Sequence, residues 1–342
     1  MGISTLQWNA NGLLLRQAEL KQYLANNEYD IICIQETFLK AEKQFNLSGY
    51  EVIRKDRDSA KGGLMMLPRQ GIKYTLFPSP PNIECQIAEV TTKSGKLTVI
   101  NVYVPPTTEI DENIFQSLFT RPNTIIMGDL NAKNKLWNST TENARGRVIE
   151  QLLIQNNFVI LNTGQPTYQN SRGQVSHIDL TLVSNNLATK CSWYTLGSDH
   201  SPIISHIDEY PSVETTMIPK WTLNEADWKT YKELCSSHVY TTPVYDSDIE
   251  SFANNISNMI TAAANNTIPT RKSSHKKKRK ALPYCNARIK SAIYERNAAR
   301  NKMNRKKTQE NIEQYRRKKG TAQHIIKESA ETYWRNYCDT IA

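Results

Sequence analysis

Six short polar segments punctuate residues 8–201, five of them directly after an apolar run: Trp8-Asn9-Ala10-Asn11-Gly12, Gln35-Glu36-Thr37, Asn101-Val102-Tyr103-Val104-Pro105, Gly128-Asp129-Leu130-Asn131 and Gly197-Ser198-Asp199-His200-Ser201. The sixth, His177-Ile178-Asp179, opens such a run. Together they offer carboxylates, a histidine, asparagines and a tyrosine at places where a strand hands over to a loop and can hold a side chain rigidly. Hydrolysis of a phosphodiester needs these types. A hard cation such as Mg²⁺, held by oxygen ligands, offsets developing charge; a carboxylate orients or deprotonates water; a hydrogen-bonding or cationic group meets the phosphate. Each segment alone has an ordinary reading. Gly-Asp-x-Asn is a common turn, Glu36 suits a helix start, Asp199 suits an Asx turn, Tyr103 suits packing, and His200, His177 and His206 suit satisfied histidines. Their conjunction, in this order, is what points to a site.

The elements that must position these residues alternate. Ile3 to Trp8, Ile31 to Gln35, Leu64 to Leu67, Ile87 to Thr91, Leu97 to Val104, Thr124 to Met127, Asp179 to Val183 and Ile203 to His206 read as strands. Leu14 to Ala25, Asn113 to Leu118 and Ala144 to Asn157 read as helices, the last with Val148, Leu152 and Leu153 on one face. So many strands imply an α/β or α+β sandwich. The hairpin signal Ser94-Gly95 makes its neighbours antiparallel, which disfavours a purely parallel sheet.

The series WNANG, QET, NVYVPP, GDLNA, SHIDLTLV and GSDHSP resembles the exonuclease-endonuclease-phosphatase superfamily. More closely, it resembles the apurinic-type endonuclease domain of jockey-like non-LTR (LINE-like) retrotransposons, over residues 1 to about 208. The resemblance implies a four-layered α/β sandwich: two packed mixed sheets flanked by helices, with the active site at one end. It also implies roles. Glu36 would be the principal Mg²⁺ ligand with Asn11 beside it and Asp199 near the metal. Asp129 would activate water, helped by Asn9, while Asn131 and Tyr103 meet the phosphate. His200 would bond or protonate the scissile group, oriented by Asp179. Ser198 and Thr167 match positions that touch the DNA backbone. Asn11 stands where cellular repair members carry Asp, and a neutral ligand shifts the burden of metal binding onto Glu36. The implied reaction is cleavage of target DNA with Mg²⁺, or Mn²⁺ in its place, leaving a 3′ hydroxyl that primes reverse transcription of the element's RNA. The alternatives are a phosphatase of the same fold and an inactive remnant that only binds nucleic acid.

Composition narrows the rest. The chain has 342 residues, 43 Lys plus Arg against 33 Asp plus Glu, and 39% apolar residues, ample for one large or two ordinary domains. Counted along the sequence, residues 1–210 carry 19 basic and 20 acidic groups and residues 211–342 carry 24 and 13, so the positive excess lies in the C-terminal part. No uncharged apolar stretch is long enough to span a bilayer, and MGISTLQW lacks the marks of a secretory or myristoylation signal. Without Cys-x-x-Cys or a Cys/His cluster, the six cysteines read as reduced thiols.

Beyond the nuclease-like part, the pattern is helical. Residues 209–285 read as a linker with helices, one capped by Asn224 and carrying Trp228, Tyr231 and Leu234, another over Ser251 to Ala264. Residues 286–342 read as basic amphipathic helices, the start of a connection to a reverse transcriptase. The polymerase pair Asp-Asp occurs nowhere, so a truncated element or an endonuclease-only product is expected. The run Lys276 to Lys280 suggests nuclear import after synthesis in the cytoplasm, or a tether for DNA or RNA.

Overall fold

Aliphatic runs over the first two hundred or so positions become strands wherever the sequence pattern places them. The computed structural model describes residues 2–57, 61–162, 164–170, 172–188, 191–195, 200–212, 219–239, 249–272 and 282–341. In chain order it begins with β1 (Ile3–Asn9), α1 (Leu13–Leu24), β2 (Ile31–Gln35), β3 (Ile53–Lys55), β4 (Leu64–Pro68) and β5 (Tyr74–Phe77). Then come β6 (Glu84–Thr91), β7 (Lys96–Tyr103), α2 (Glu112–Gln116), β8 (Thr124–Asp129), α3 (Ala144–Gln155) and β9 (Phe158–Ile160). They are followed by β10 (Tyr168–Gln169), β11 (Val175–Ser176), β12 (Asp179–Ser184), α4 (Asn185–Ala188), β13 (Cys191–Thr195) and β14 (Ile203–Ile207). Last are β15 (Pro219–Trp221), α5 (Trp228–Val239), α6 (Ile249–Thr267), β16 (Thr270–Lys272), α7 (Ala287–Arg305) and α8 (Gln309–Ile341).

Two six-stranded mixed sheets carry the fold, ordered β13-β14-β1-β2-β4-β3 and β5-β6-β7-β8-β12-β9. In each, one parallel pair (β1 with β2, β7 with β8) sits among antiparallel neighbours. The Ser94-Gly95 hairpin joins β6 to β7 in antiparallel register, as its turn residues demand. Ile3, Cys33, Met66, Val90, Val99, Ile125 and Met127 form one apolar cluster fed by strands of both sheets. On the outer faces, α1 packs Leu13, Leu20 and Leu24 with Ile32, Ile34 and Met65, and α2 and α3 pack Phe115, Leu152 and Leu153 with Ile100, Val102 and Ile126. Strands buried on both sides explain why their sequences read as unbroken apolar runs rather than alternations. Each such side chain contributes about 1.5–3 kcal/mol on leaving water. The architecture is therefore the layered α/β sandwich with two mixed sheets, followed by a helical C-terminal region.

Local signals set the helix starts. Asp111 accepts from the amides of Asn113 and Ile114 to cap α2, and Asn143 accepts from Gly146 to cap α3. One expectation is corrected: Asn224 lies in a 3₁₀ turn, and Asp227 caps α5 instead by accepting from the amide and hydroxyl of Thr230. Asp227 is the shorter reach, three residues before the amide it serves.

The chain forms two compact units, Met1–Glu214 with Lys278–Ala342, and Thr215–Lys277. In the second, β15 pairs with β16 and α5 packs beside α6, where Ala263 and Ala264 are buried together with Ile268 just past the helix end. In the first, α7 and α8 form an antiparallel hairpin: Lys318 pairs with Glu295, Arg288 with Glu328, and Ala299, Met303 and Tyr315 make its small core. Asn286 caps α7 through the amide of Ile289. Tyr333, Trp334 and Tyr337 of α8 remain substantially exposed.

Candidate active site

Strand ends converge at one edge of the sandwich. Asn9 ends β1, Glu36 follows β2, Tyr103 ends β7, Asp129 ends β8, and Asp179 begins β12, which runs antiparallel to β8 so that Asp179 stands opposite Asp129 in register. His200 lies just before β14. Gly128 allows β8 to approach β7: a Cβ there would sit 1.8 Å from the Val102 carbonyl oxygen.

Hydrogen bonds make these residues one constellation. The Asn9 amide nitrogen donates to Asp129 Oδ2 at 2.8 Å and to Glu36 Oε1 at 3.2 Å, linking the two sheets' carboxylates. Asp129 Oδ1 accepts from the Asn131 backbone amide at 3.0 Å, and Asn131 Nδ2 donates to the Val104 carbonyl at 3.0 Å. His200 Nδ1 lies 3.0 Å from Asp179 Oδ2, and both residues are buried. The Tyr168 ring packs against the His200 ring at 4.6 Å, and Trp8 Nε1 donates to the His200 carbonyl at 3.3 Å.

The loops that aim these groups adopt unusual backbone. Asn11, Glu36, Phe38 and Asn131 all have positive φ, a left-handed conformation disfavoured for side-chain-bearing residues and common at functional loops. The Glu36 loop is held by backbone bonds from Thr37 and Phe38 to the carbonyls of Gly63 and Gly62. Glu84 in turn accepts from the Gly63 amide and pairs with Arg57. Gly63 is required here, since its φ is +87° and a Cβ would lie 2.6 Å from Thr37 Oγ1.

Burial makes the electrostatics asymmetric. Loss of water, then the Asp179 charge, pushes the Asp129 carboxyl up to about 8, against the opposing pull of His200, the Asn131 amide and Asn9. Burial and the hydrogen bond and charge of Glu36 raise the Tyr103 phenol well above its usual range, so it stays a neutral donor. Burial also raises Glu84, with the Glu36 charge as a smaller contribution in the same direction.

Ligand atoms of Asp129, Asp179 and His200 lie within 4.8 Å of one another, close enough to hold a cation. His200 Nδ1 is already engaged by Asp179, and a hard cation such as Mg²⁺ prefers oxygen donors. Glu36, bridged to Asp129 through Asn9, supplies those oxygens, so the donor set fits a hard divalent ion at the Glu36 side. Asn11 is exposed beside it, its amide bonded to Asn9 Oδ1.

Not every residue singled out by sequence falls where the resemblance implies. Thr167 is fully buried, and its hydroxyl accepts from the amides of Ile178 and Asp179 at 3.2 and 3.1 Å. It therefore props Asp179. Ser198, Asp199 and the run Lys276 to Lys280 lie outside the described residues. Sequence reasoning passed over Glu84 and Tyr168 and gave no role to Asn101, whose side chain bonds Gln35 and Gln86 in the space between the sheets. Asn101 carried a signal, an amide inside an aliphatic strand. Glu84 and Tyr168 carried none, because only tertiary folding brings them to the site. Beside Tyr103 and Glu84 opens a cleft of about 450 Å³ lined also by Lys55, Arg57 and Pro105.

Residues 97–204 match the family described as Endonuclease-reverse transcriptase. The chain is 28% identical over 234 residues to a probable RNA-directed DNA polymerase from transposon X-element of Drosophila melanogaster, covering 63% of this chain and 25% of that one. It is 27% identical over 215 residues to the RNA-directed DNA polymerase from mobile element jockey of Drosophila funebris, covering 60% and 24%. The chain thus spans about a quarter of the length of these curated relatives. Among solved structures it is similar to the endonuclease domain of TRAS1, a telomere-specific non-LTR retrotransposon, with a TM-score of 0.53 and 22% identity over 60% of this chain and 98% of that one. The motif resemblance is borne out: the sandwich is that of the retrotransposon endonuclease fold, and the sequence relatives are jockey-like elements.

Proposed function

We propose that the chain is a divalent-metal-dependent endonuclease that nicks double-stranded DNA for a jockey-like retrotransposon. The observation that carries this reading is the Asn9 amide joining Asp129 to Glu36, with the buried Asp179–His200 pair directly opposite. The relatives are called RNA-directed DNA polymerases of mobile elements and the structural neighbour an endonuclease domain, which supports DNA as substrate. In this reading residues 1–208 hold the nuclease, the basic helices meet DNA or element RNA, and Lys276 to Lys280 directs import into the nucleus.

Glu36 and Asn11, joined by Asp199 if the motif resemblance holds there, would hold Mg²⁺ or Mn²⁺, and the ion when bound supplies positive charge at the phosphate. Asp129 receives the proton of the attacking water; an acid constant near neutrality suits a general base working there. Asn9 and Asn131 fix its two oxygens in place. The neutral Tyr103 hydroxyl and Asn131 hydrogen-bond nonbridging oxygens. His200, fixed at Nδ1 by Asp179, offers Nε2 to the same phosphate as it becomes crowded with charge. Water oxygen bonds to phosphorus as the bond to the 3′ oxygen breaks, and that oxygen takes a proton from solvent, leaving a 3′ hydroxyl and a 5′ phosphate. That hydroxyl can prime synthesis on an RNA template.

Supercoiled plasmid incubated with the full chain and Mg²⁺ tests the proposal. Conversion to the relaxed circle, lost with EDTA and slowed about a hundredfold or more in Asp129→Ala and His200→Ala, is the expected result. Release of inorganic phosphate from inositol phosphates without nicking favours the phosphatase. Salt-sensitive DNA binding with neither activity favours the remnant.

A further inference from the structure

Helix α7 lies a hundred or so positions after His200 in sequence, yet it touches the segment that holds His200. Arg300 on α7 is only 8% exposed. Its Nε faces Gln169 Oε1 at 3.4 Å and its Nη2 faces Ser201 Oγ at 3.5 Å. Both partners are buried, and each is the chain neighbour of a ring at the site. Gln169 follows Tyr168 and Ser201 follows His200, the two residues whose rings meet at a tilt. Between them the Ser201 amide donates to the Thr167 carbonyl at 2.7 Å. One helical turn earlier, Arg296 makes a two-pronged ion pair with Glu19 at 2.7 and 2.9 Å. Glu19 belongs to α1, the helix that starts immediately after the Asn11-Gly12 loop. One face of α7 therefore ties into α1 through Arg296 and into the His200 segment through Arg300.

A guanidinium is costly to bury unless its donors are used, and its planar fork can reach two acceptors from one rigid position. Arg300 uses this capacity on the two segments that set the Tyr168–His200 ring contact. Gly173, in the loop joining β10 to β11, also borders Ile312 and Met303 of the helical hairpin, so the same hairpin backs the strand pair carrying Tyr168. These contacts give the C-terminal helices a role that neither phosphate binding nor docking of a further domain requires.

We propose, building on the nuclease reading, that Arg300 is a positioning residue that holds the His200 imidazole in its working orientation, so that the α7–α8 hairpin is an integral part of the catalytic unit. The Asp179 carboxylate fixes one edge of the ring, Tyr168 packs against it at a tilt, and Arg300 holds the side chains of Gln169 and Ser201, the residues next in the chain to the two rings. Loss of this grip affects turnover more than DNA affinity, because the ring remains present but poorly aimed.

The test uses the full chain, with Arg300→Met and the milder Arg300→Lys, each in wild-type and His200→Ala backgrounds, after thermal unfolding has shown the variants to be folded. The expected result is a fall in kcat for plasmid nicking of about tenfold in Arg300→Met with KM nearly unchanged, the scale found for residues that orient a working side chain. Arg300→Lys restores only part of it, and Arg300→Met adds nothing once His200 is already Ala. Unchanged kcat overturns the proposal, as does a loss confined to KM or one that recurs in full in the His200→Ala background. A readout independent of turnover is the ring Cε1–H resonance of His200 in an NMR spectrum, assigned by its absence in His200→Ala. It moves in Arg300→Met if the proposal holds, and an unmoved resonance overturns the proposal whether or not plasmid is cut. A wild-type chain that never nicks DNA contradicts the nuclease reading separately.

Discussion

Asp129 and Asp179 stand opposite one another on adjacent antiparallel strands, both almost wholly buried, yet their surroundings push them to different tasks. Asp179 is committed to His200 Nδ1, whereas Asp129 takes two neutral donors, from Asn9 and Asn131. Burial first, then the nearby Asp179 charge, raises the Asp129 carboxyl to about 8.

The first prediction concerns stability against pH. The folded-state acid constant of Asp129 lies above its unfolded value, so its contribution favours the fold at low pH and is lost progressively as pH rises through about 8. Without added metal, the melting temperature falls as pH is raised from about 6 to about 9, and falls less in Asp129→Asn, which has no charge to desolvate. Parallel pH profiles for the two proteins contradict this.

Nicking follows the same group in the opposite sense. A base must be deprotonated, so the rate at saturating Mg²⁺ climbs with pH on an acid limb that ends at or below about 8, the bound cation drawing the midpoint down. Rates measured from about pH 5 to about pH 9 check it, and a profile flat across that range removes Asp129 from the role of base.

Asn9→Ala cuts the bridge between Asp129 and Glu36 while leaving both carboxylates in place. Nicking falls about 10- to 100-fold, and the Mg²⁺ concentration for half-maximal activity rises, because oriented ligands bind more tightly than free ones. A metal titration that superimposes on wild type contradicts the bridge.

Thr167→Val separates support from substrate contact. Two buried amides, those of Ile178 and Asp179, lose their acceptor. Denaturant unfolding registers a loss of about 1–3 kcal/mol. The KM for DNA stays close to wild type, since the hydroxyl points away from any substrate; a selective rise in KM with unchanged stability places Thr167 on the DNA after all.

Much of the architecture was legible because the strands are long aliphatic runs whose burial on both faces leaves little ambiguity, as in Leu64–Pro68 and Thr124–Asp129. The paired two-residue strands at Tyr168–Gln169 and Val175–Ser176 were not, since so short a pair has no periodicity to read. At the site, Asn9, Glu36, Asp129, Asp179 and His200 were legible as motifs at strand ends. The support Thr167 gives to two buried amides was not legible, because a threonine that serves amides looks, in sequence, like one that serves a phosphate. Glu84 and Arg300 were invisible: one acts through a glycine loop and the other from a helix some hundred residues downstream. Asn224 lost the cap of α5 to Asp227 because both are good caps and only the path of the chain decides between them.

The central claim is that segments scattered from Asn9 to His200 act as a single hydrolytic site. A mutant cycle on plasmid nicking with Asp129→Ala, His200→Ala and the double variant tests it most directly, because members of one catalytic unit are far from additive. The account predicts that wild type nicks with Mg²⁺, that each single change costs a factor of about a hundred or more, and that the double variant is no slower than the slower single. Losses that multiply, or a wild-type chain that leaves the plasmid supercoiled, contradict it.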